Sequence, residues 1–219
     1  MVLGPARFRV DDRPSPEPLS SRRALLVGLL ADAGPAGIPR ERLGGFMWPN
    51  AGEAQAFNAS KQLVYKLRRQ VGVASMILAG TVLRLNADVV TTDLWDVLEA
   101  ARRRDHDTVL ARHGGRFLDG AEAWDPPDLE LWLNAQRSRA VRLLHEATER
   151  CAAAREASGD EAGAVRAWAE LHERMPADAS VRARLETARA RLDGQGGPAS
   201  AQAETSDTVA DGNSTVTDR

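Results

Sequence analysis

The feature that most constrains this chain is a run of 34 residues, 54–87, without a single acidic side chain. The whole chain holds 31 Asp and Glu residues, so such a gap indicates a surface that faces an anion. Five cations lie in the run: Lys61, Lys66, Arg68, Arg69 and Arg84. Because the phosphate backbone of DNA is the usual partner of such a stripe, the run predicts a DNA-binding surface.

The first half of the run, Ala54–Gly72, predicts one helix with its body at 54–71. Apolar or small residues recur there at spacings of three and four and so share an inward face: Phe57, Ser60, Val64, Leu67 and Val71. The side chains predicted to point outward suit base edges or phosphates: Asn58, Lys61, Gln62, Tyr65, Arg68 and Arg69. A solvated amphipathic helix with a basic face has the same pattern, and the helix alone does not separate the two interpretations.

Two short apolar runs follow, Ser75–Leu78 and Val82–Asn86, around the turn Ala79-Gly80-Thr81. This pattern predicts a β-hairpin over 75–86. A basic helix followed by such a hairpin is the order of a winged helix, in which the helix enters the major groove and the hairpin, called the wing, touches the backbone or minor groove. Arg84 is the only charge in the hairpin and is the wing candidate, although a solvated strand residue would look the same.

Upstream, the sequence predicts a short strand at 6–10, and the prolines at 14, 16 and 18 predict an irregular connection. Two helices follow, Arg22–Gly34 and Arg40–Trp48. The first should bury one face, formed by Ala24, Leu25, Leu29 and Leu30. Three helices and a hairpin fit residues 20–86, so we expect a first domain over 1–90.

Downstream, the chain is expected to be mainly helical, with a domain over 91–193. Thr92 or Asp93 can cap its first helix, and further helices are predicted at Thr108–His113, Asp128–Ser158, Glu161–Arg174 and Ala179–Leu192. Cys151 lies on the apolar stripe of the third of these five and should be an inert buried thiol. Residues 194–219 are rich in Gly, Ser, Thr and Asp and should form a disordered tail.

Charge is distributed unevenly along the chain. Residues 1–90 hold 12 Lys and Arg against seven Asp and Glu, whereas residues 91–194 hold 16 against 20. The basic excess therefore coincides with the predicted DNA-binding part. No phosphate-binding loop, catalytic grouping or metal-ligand spacing is present in the sequence, so we expect no enzyme, cofactor or metal, and solvated or surface positions for all four histidines. No run of 18 apolar residues and no signal peptide are seen, so a cytoplasmic protein without a membrane span is expected.

Together these segments resemble a known pairing of domains. They are Arg22–Ala31, Ile38–Pro49, Tyr65–Gly72, Leu83–Val97, Gly115–Gly120 and the helix that begins at Asp128. The first part resembles the OmpR-type winged helix. The second resembles the bacterial transcriptional activator domain, and 159–176 looks like part of a tetratricopeptide repeat. The two adjoin in this order in Streptomyces-type antibiotic regulatory proteins. The sequence departs from that pattern at Ser60, where the family has a large apolar residue.

The resemblance implies a transcriptional regulator whose partner is double-stranded DNA. Its helix 54–71 would insert in the major groove, with Asn58, Lys61, Gln62 and Tyr65 at bases or nearby phosphates. Arg68, Arg69 and Arg84 would mostly meet phosphate, and Lys66 is a further candidate DNA-binding residue. The helical domain would form a homo-oligomer or contact RNA polymerase. The alternative is a helical-repeat interaction module whose winged helix docks a protein rather than DNA.

Overall fold

The structure, a computed structural model, describes residues 1–10, 13–14, 19–122 and 127–195. In these ranges the chain is mainly helical, as predicted. In chain order the elements are β1 (Arg9–Val10), β2 (Arg13–Pro14), α1 (Ser21–Ala33), β3 (Ile38–Pro39), α2 (Arg40–Met47), α3 (Glu53–Val71), β4 (Ile77–Ala79), β5 (Val82–Leu85), α4 (Asp93–Arg103), α5 (His106–Arg112), α6 (Pro127–Ala157), α7 (Glu161–Arg174) and α8 (Ala179–Gln195), with 3-10 turns at Gly34–Ala36 and Ala74–Met76. They form two compact units, which divide between Ala154 and Arg155.

Helix α1 is the centre of the first unit. The predicted Ala24, Leu25, Leu29 and Leu30 are buried, and so are the other four residues from Ala24 to Ala31, so the buried surface is wider than the predicted face. The reason is that neighbours cover α1 from several sides. Trp95 of α4 donates a hydrogen bond to the Ala31 carbonyl at 2.7 Å, and Trp132 of α6 donates to the Asp32 carboxylate at 2.9 Å. A helix that is apolar all round is one that other elements surround.

A three-stranded antiparallel sheet packs beside α1 in the order β3-β5-β4. The hairpin strands β4 and β5 fall inside the predicted 75–86, and Ile77 pairs with Leu85. Strand β3 was not predicted, since it has two residues and one of them is proline. Pro39 pairs with Val82 at the edge of the sheet, a position where a residue without an N–H is tolerated.

Residues 1–8 are joined to α4 and to the loop before α6. The Asp93 carboxylate accepts the N–H groups of Val2 and Leu3, and the Val2 carbonyl accepts from Leu118. A single apolar core contains buried residues from Val2 to Ala147, and so includes residues of the N-terminal segment, α4 and α6. The compact units divide after Ala154, whereas the sequence predicts a domain boundary after residue 90. That boundary stays a prediction.

Near the N-terminus the structure differs from two expectations, namely the strand at 6–10 and the irregular connection that follows it. The strand β1 has only two residues, and Pro14 lies in β2, which pairs with it. Downstream, Thr92 caps α4 as predicted, because its hydroxyl accepts from the Trp95 N–H.

His113 was expected at the surface, and this expectation was wrong. It is buried, with its Nε2 atom 3.0 Å from the Ala140 carbonyl on α6. The sequence gives no sign of this contact because 27 positions separate the two residues. Cys151 is buried, as predicted.

The second unit contains α7 and α8, which pack against each other. Asp160 caps α7 by accepting from the Gly163 N–H at 2.8 Å. The buried side chains include Ala164, Trp168 and Leu171 of α7 and Val181, Leu185 and Ala188 of α8. Helix α8 reaches Gln195, beyond the predicted start of the tail at 194, and residues 196–219 of that predicted tail lie outside the described residues. None of the helices over the described ranges combines the length and the apolar character needed to cross a bilayer.

Candidate nucleic-acid interface

Helix α3 presents most of the predicted site residues to solvent. It begins at Glu53 and ends where Gly72 adopts a left-handed conformation, a common helix stop. At 3.6 residues per turn, its buried residues form one sector: Ala56, Ser60, Leu63, Val64 and Leu67. The opposite sector is exposed along the helix and holds Asn58, Gln62, Tyr65 and Arg69. Amides, a phenol and a guanidinium in one exposed row can donate hydrogen bonds to base edges and phosphates.

Lys61 and Lys66 lie on the two flanks of this row, and both are exposed. Lys61 lies on the flank nearer Phe57, with its Nζ atom 5.6 Å from the centre of that ring. Phe57 itself was expected on the buried face. That expectation was wrong, because 47% of the residue is exposed.

Arg84 lies on the outer face of the hairpin. It pairs across the two strands with Leu78, and both side chains are exposed. Their strand neighbours Leu83, Leu85 and Ile77 are buried, so the hairpin turns its apolar face to the core and Arg84 to solvent. In this orientation the Arg84 guanidinium is accessible to an anion in the solvent.

Arg68 differs from the other predicted site residues because it is only half-exposed. Its guanidinium donates a hydrogen bond to the Ile77 carbonyl, and so it connects α3 to strand β4. The phosphate contact of Arg68 stays a prediction. One of its guanidinium N–H groups already donates to the Ile77 carbonyl and is not available to a phosphate.

Sequence reasoning missed Arg40, the first residue of α2. Its Nε donates to the Gly80 carbonyl at 2.7 Å, and a second nitrogen donates to the Ser60 hydroxyl at 2.9 Å. Its guanidinium also lies 5.1 Å from the centre of the Phe57 ring. Arg40 therefore joins the hairpin turn to α3. Burial, and then the charge of Arg68, lower the pKa of Arg40.

The Arg40 contact gives the buried Ser60 hydroxyl a polar partner. Ser60 is buried, and its hydroxyl donates to the Phe57 carbonyl at 2.7 Å while it accepts from Arg40. A polar residue in an apolar stripe was the available signal in the sequence. It pointed to a buried polar partner on a neighbouring element.

Replacing Arg40 by alanine should lower the free energy of unfolding by about 2 kcal/mol, because two hydrogen bonds to buried or turn acceptors are lost. The control is Arg42→Ala on the same helix, since Arg42 is exposed and its guanidinium only approaches the Phe46 ring, at 5.7 Å. Urea denaturation of both variants provides the measurement. Equal stabilities for the two variants would contradict the structural role of Arg40.

The five cations among the predicted site residues lack carboxylate partners in the part of the chain that the structure describes. Among the described residues, cations in salt bridges include Arg102, Arg103, Arg112, Arg139, Arg166 and Arg191. Over the same ranges, no salt bridge involves Lys61, Lys66, Arg68, Arg69 or Arg84. Cations without carboxylate partners leave a positive field that attracts anions.

Over the described ranges, no group of three or more His, Cys, Asp and Glu side chains is placed to hold a metal ion. No model of a known protein family matches the chain, and a search of curated proteins likewise found no match.

Proposed function

We propose that this chain is a DNA-binding transcriptional regulator whose residues 1–90 form a winged-helix domain. The order of elements supports the proposal: α1, β3, α2, α3 and then the hairpin β4–β5, with β3 completing a small sheet. In this proposal α3 lies in the major groove, and the hairpin carries Arg84 to the DNA backbone.

The observation that carries the proposal is the exposed row on α3 together with its unpaired cations. The row and its flanks combine groups that read bases, such as Asn58 and Gln62 of the row, with cations that bind phosphate, such as Arg69 of the row and Lys61 on its flank. The run 54–87 contains no acidic residue that could neutralise these cations. A helix that was only solvated would be expected to mix both charges, as α4 does, where Glu99 pairs with Arg102 and Arg103.

For the helices from α4 onward we propose self-association or contact with RNA polymerase, the roles implied by the resemblance to the bacterial transcriptional activator domain. The helix pair α7–α8, with its inward Trp168 and Leu185, supports a tetratricopeptide-like arrangement. Such units bury their apolar faces by stacking on neighbours, which favours a role in assembly.

A second candidate function is docking of an acidic protein partner. It is favoured by the apolar residues exposed beside the cations, namely Phe57, Tyr65 and Leu78. Exposed aromatic residues with arginine nearby are typical of protein interfaces. Selection of a nucleotide sequence distinguishes the two candidates, because an acidic protein partner would not produce it.

The test is selection of random genomic DNA fragments by the purified chain, followed by sequencing of the retained DNA. We expect an enriched motif whose affinity falls roughly 40-fold between about 50 and about 200 mM salt, the decrease for about three phosphate contacts. A random double-stranded fragment of equal length serves as the control for specificity. No retention at low salt would refute DNA binding and favour the acidic protein partner.

A further inference from the structure

The exposed position of Phe57 requires a separate explanation. At 47% exposure the residue leaves apolar surface in water, and a ligand that covered this surface would gain its burial free energy. It lies in the first half of α3, one residue before Asn58 and one turn before Lys61. In recognition helices, the N-terminal residues are the ones that reach base edges.

The Phe57 ring is held in place by its neighbours. The Arg40 guanidinium lies 5.1 Å from the ring centre and the Lys61 ammonium 5.6 Å from it, both within the range of cation–π attraction. Arg40 is itself anchored on Gly80 and Ser60. The partly exposed ring therefore has two cations within cation–π range.

We infer that Phe57 reads the 5-methyl group of a thymine in the major groove. This inference rests on the proposed function and adds a chemical specificity to it. The methyl group of thymine is the apolar group that base pairs present in the major groove, where the remaining readout groups are hydrogen-bond donors and acceptors. Arg40 and Lys61 suit the phosphates that flank such a base, whereas two cations beside the ring disfavour a purely apolar protein surface because both would have to be desolvated.

The experiment uses the duplex most enriched in the genomic selection. Each thymine is replaced in turn by deoxyuridine, which removes only the methyl group, and the affinity is measured by fluorescence anisotropy. For the wild-type chain, we expect a loss of about three- to fivefold at one or two positions, the effect of one buried methyl group. Phe57→Ala should bind the thymine and deoxyuridine duplexes equally at those positions, and Phe57→Leu should retain part of the discrimination.

The matched control is Leu131→Ala, which removes another exposed apolar side chain, on α6. It should keep the full wild-type discrimination. Thermal unfolding of each variant checks the fold. The substitutions at Phe57 and Leu131 should preserve it because both residues are exposed.

The outcomes separate the inference from the proposal on which it rests. If Phe57→Ala keeps the wild-type penalty for deoxyuridine, or if the wild type shows none, Phe57 does not read the methyl group, although the chain binds DNA. If no duplex is bound at all, the proposed function fails and the inference fails with it.

Discussion

Replacing Lys61 and Arg69 together by alanine is expected to weaken DNA binding by about 100-fold while leaving the fold unchanged. Both side chains are exposed on α3, and neither forms a salt bridge or hydrogen bond among the described residues. Each charge-assisted contact contributes about 1.5 kcal/mol, and every 1.4 kcal/mol is about a tenfold change in affinity. Two lost contacts therefore account for about two orders of magnitude.

Arg68 is left out of this double variant because its side chain also supports the hairpin through the Ile77 carbonyl. Its replacement would mix a loss of DNA contact with a loss of structure. The matched control is Arg102→Ala with Arg103→Ala on α4, which removes the same charge from another exposed helix surface. Fluorescence anisotropy with the selected duplex measures all three proteins, and circular dichroism checks their folding. Equal weakening in the two double variants would show that only the net charge matters and would contradict a contact surface on α3.

Replacing Gly37 by alanine is expected to lower the free energy of unfolding by about 3 kcal/mol or more. Gly37 has a φ of 71° and a ψ of −170°, a region that is open almost only to glycine. A Cβ atom at this position would lie 2.4 Å from the Leu83 carbonyl oxygen and 2.8 Å from the Cβ atom of Arg84. Because the first of these contacts is with the backbone of β5, a rotamer change cannot relieve it.

The same substitution at Gly45 should be neutral or stabilise the chain by about 0.5–1 kcal/mol, the preference for alanine over glycine inside a helix. Gly45 is exposed on α2, and no other group lies within 4 Å of the Cβ atom it would acquire. Urea denaturation of both variants makes the comparison. A loss below about 1 kcal/mol for Gly37→Ala would mean that the turn before β3 does not approach β5 as closely as described. Because β5 carries Arg84, that result would also contradict the described geometry of the hairpin.

The sequence alone was sufficient to determine the elements whose signals are local. The repeats at spacings of three and four and the stop at Gly72 located α3 to within a residue, and the turn at Gly80 located the hairpin. Thr92 was one of two candidate caps, with Asp93, because both stand at the start of an amphipathic helix, and the structure shows that Thr92 is the cap. Backbone propensities and capping act over a few residues, so they can be detected in a short window. The outward direction of Lys61, Tyr65 and Arg69 follows from the same periodicity.

Only the tertiary structure decided the features that depend on residues distant in the chain. The burial of α1 on every side results from α4, α6 and the loop at Leu118, and the pairing of β3 depends on strand β5 more than 40 positions later. Arg40 contacts both Ser60 and Phe57: it donates a hydrogen bond to the buried Ser60 hydroxyl and lies within cation–π range of the partly exposed Phe57 ring. Buried polar contacts of this kind form where folding brings two elements together, and helical periodicity does not reveal which residues will meet.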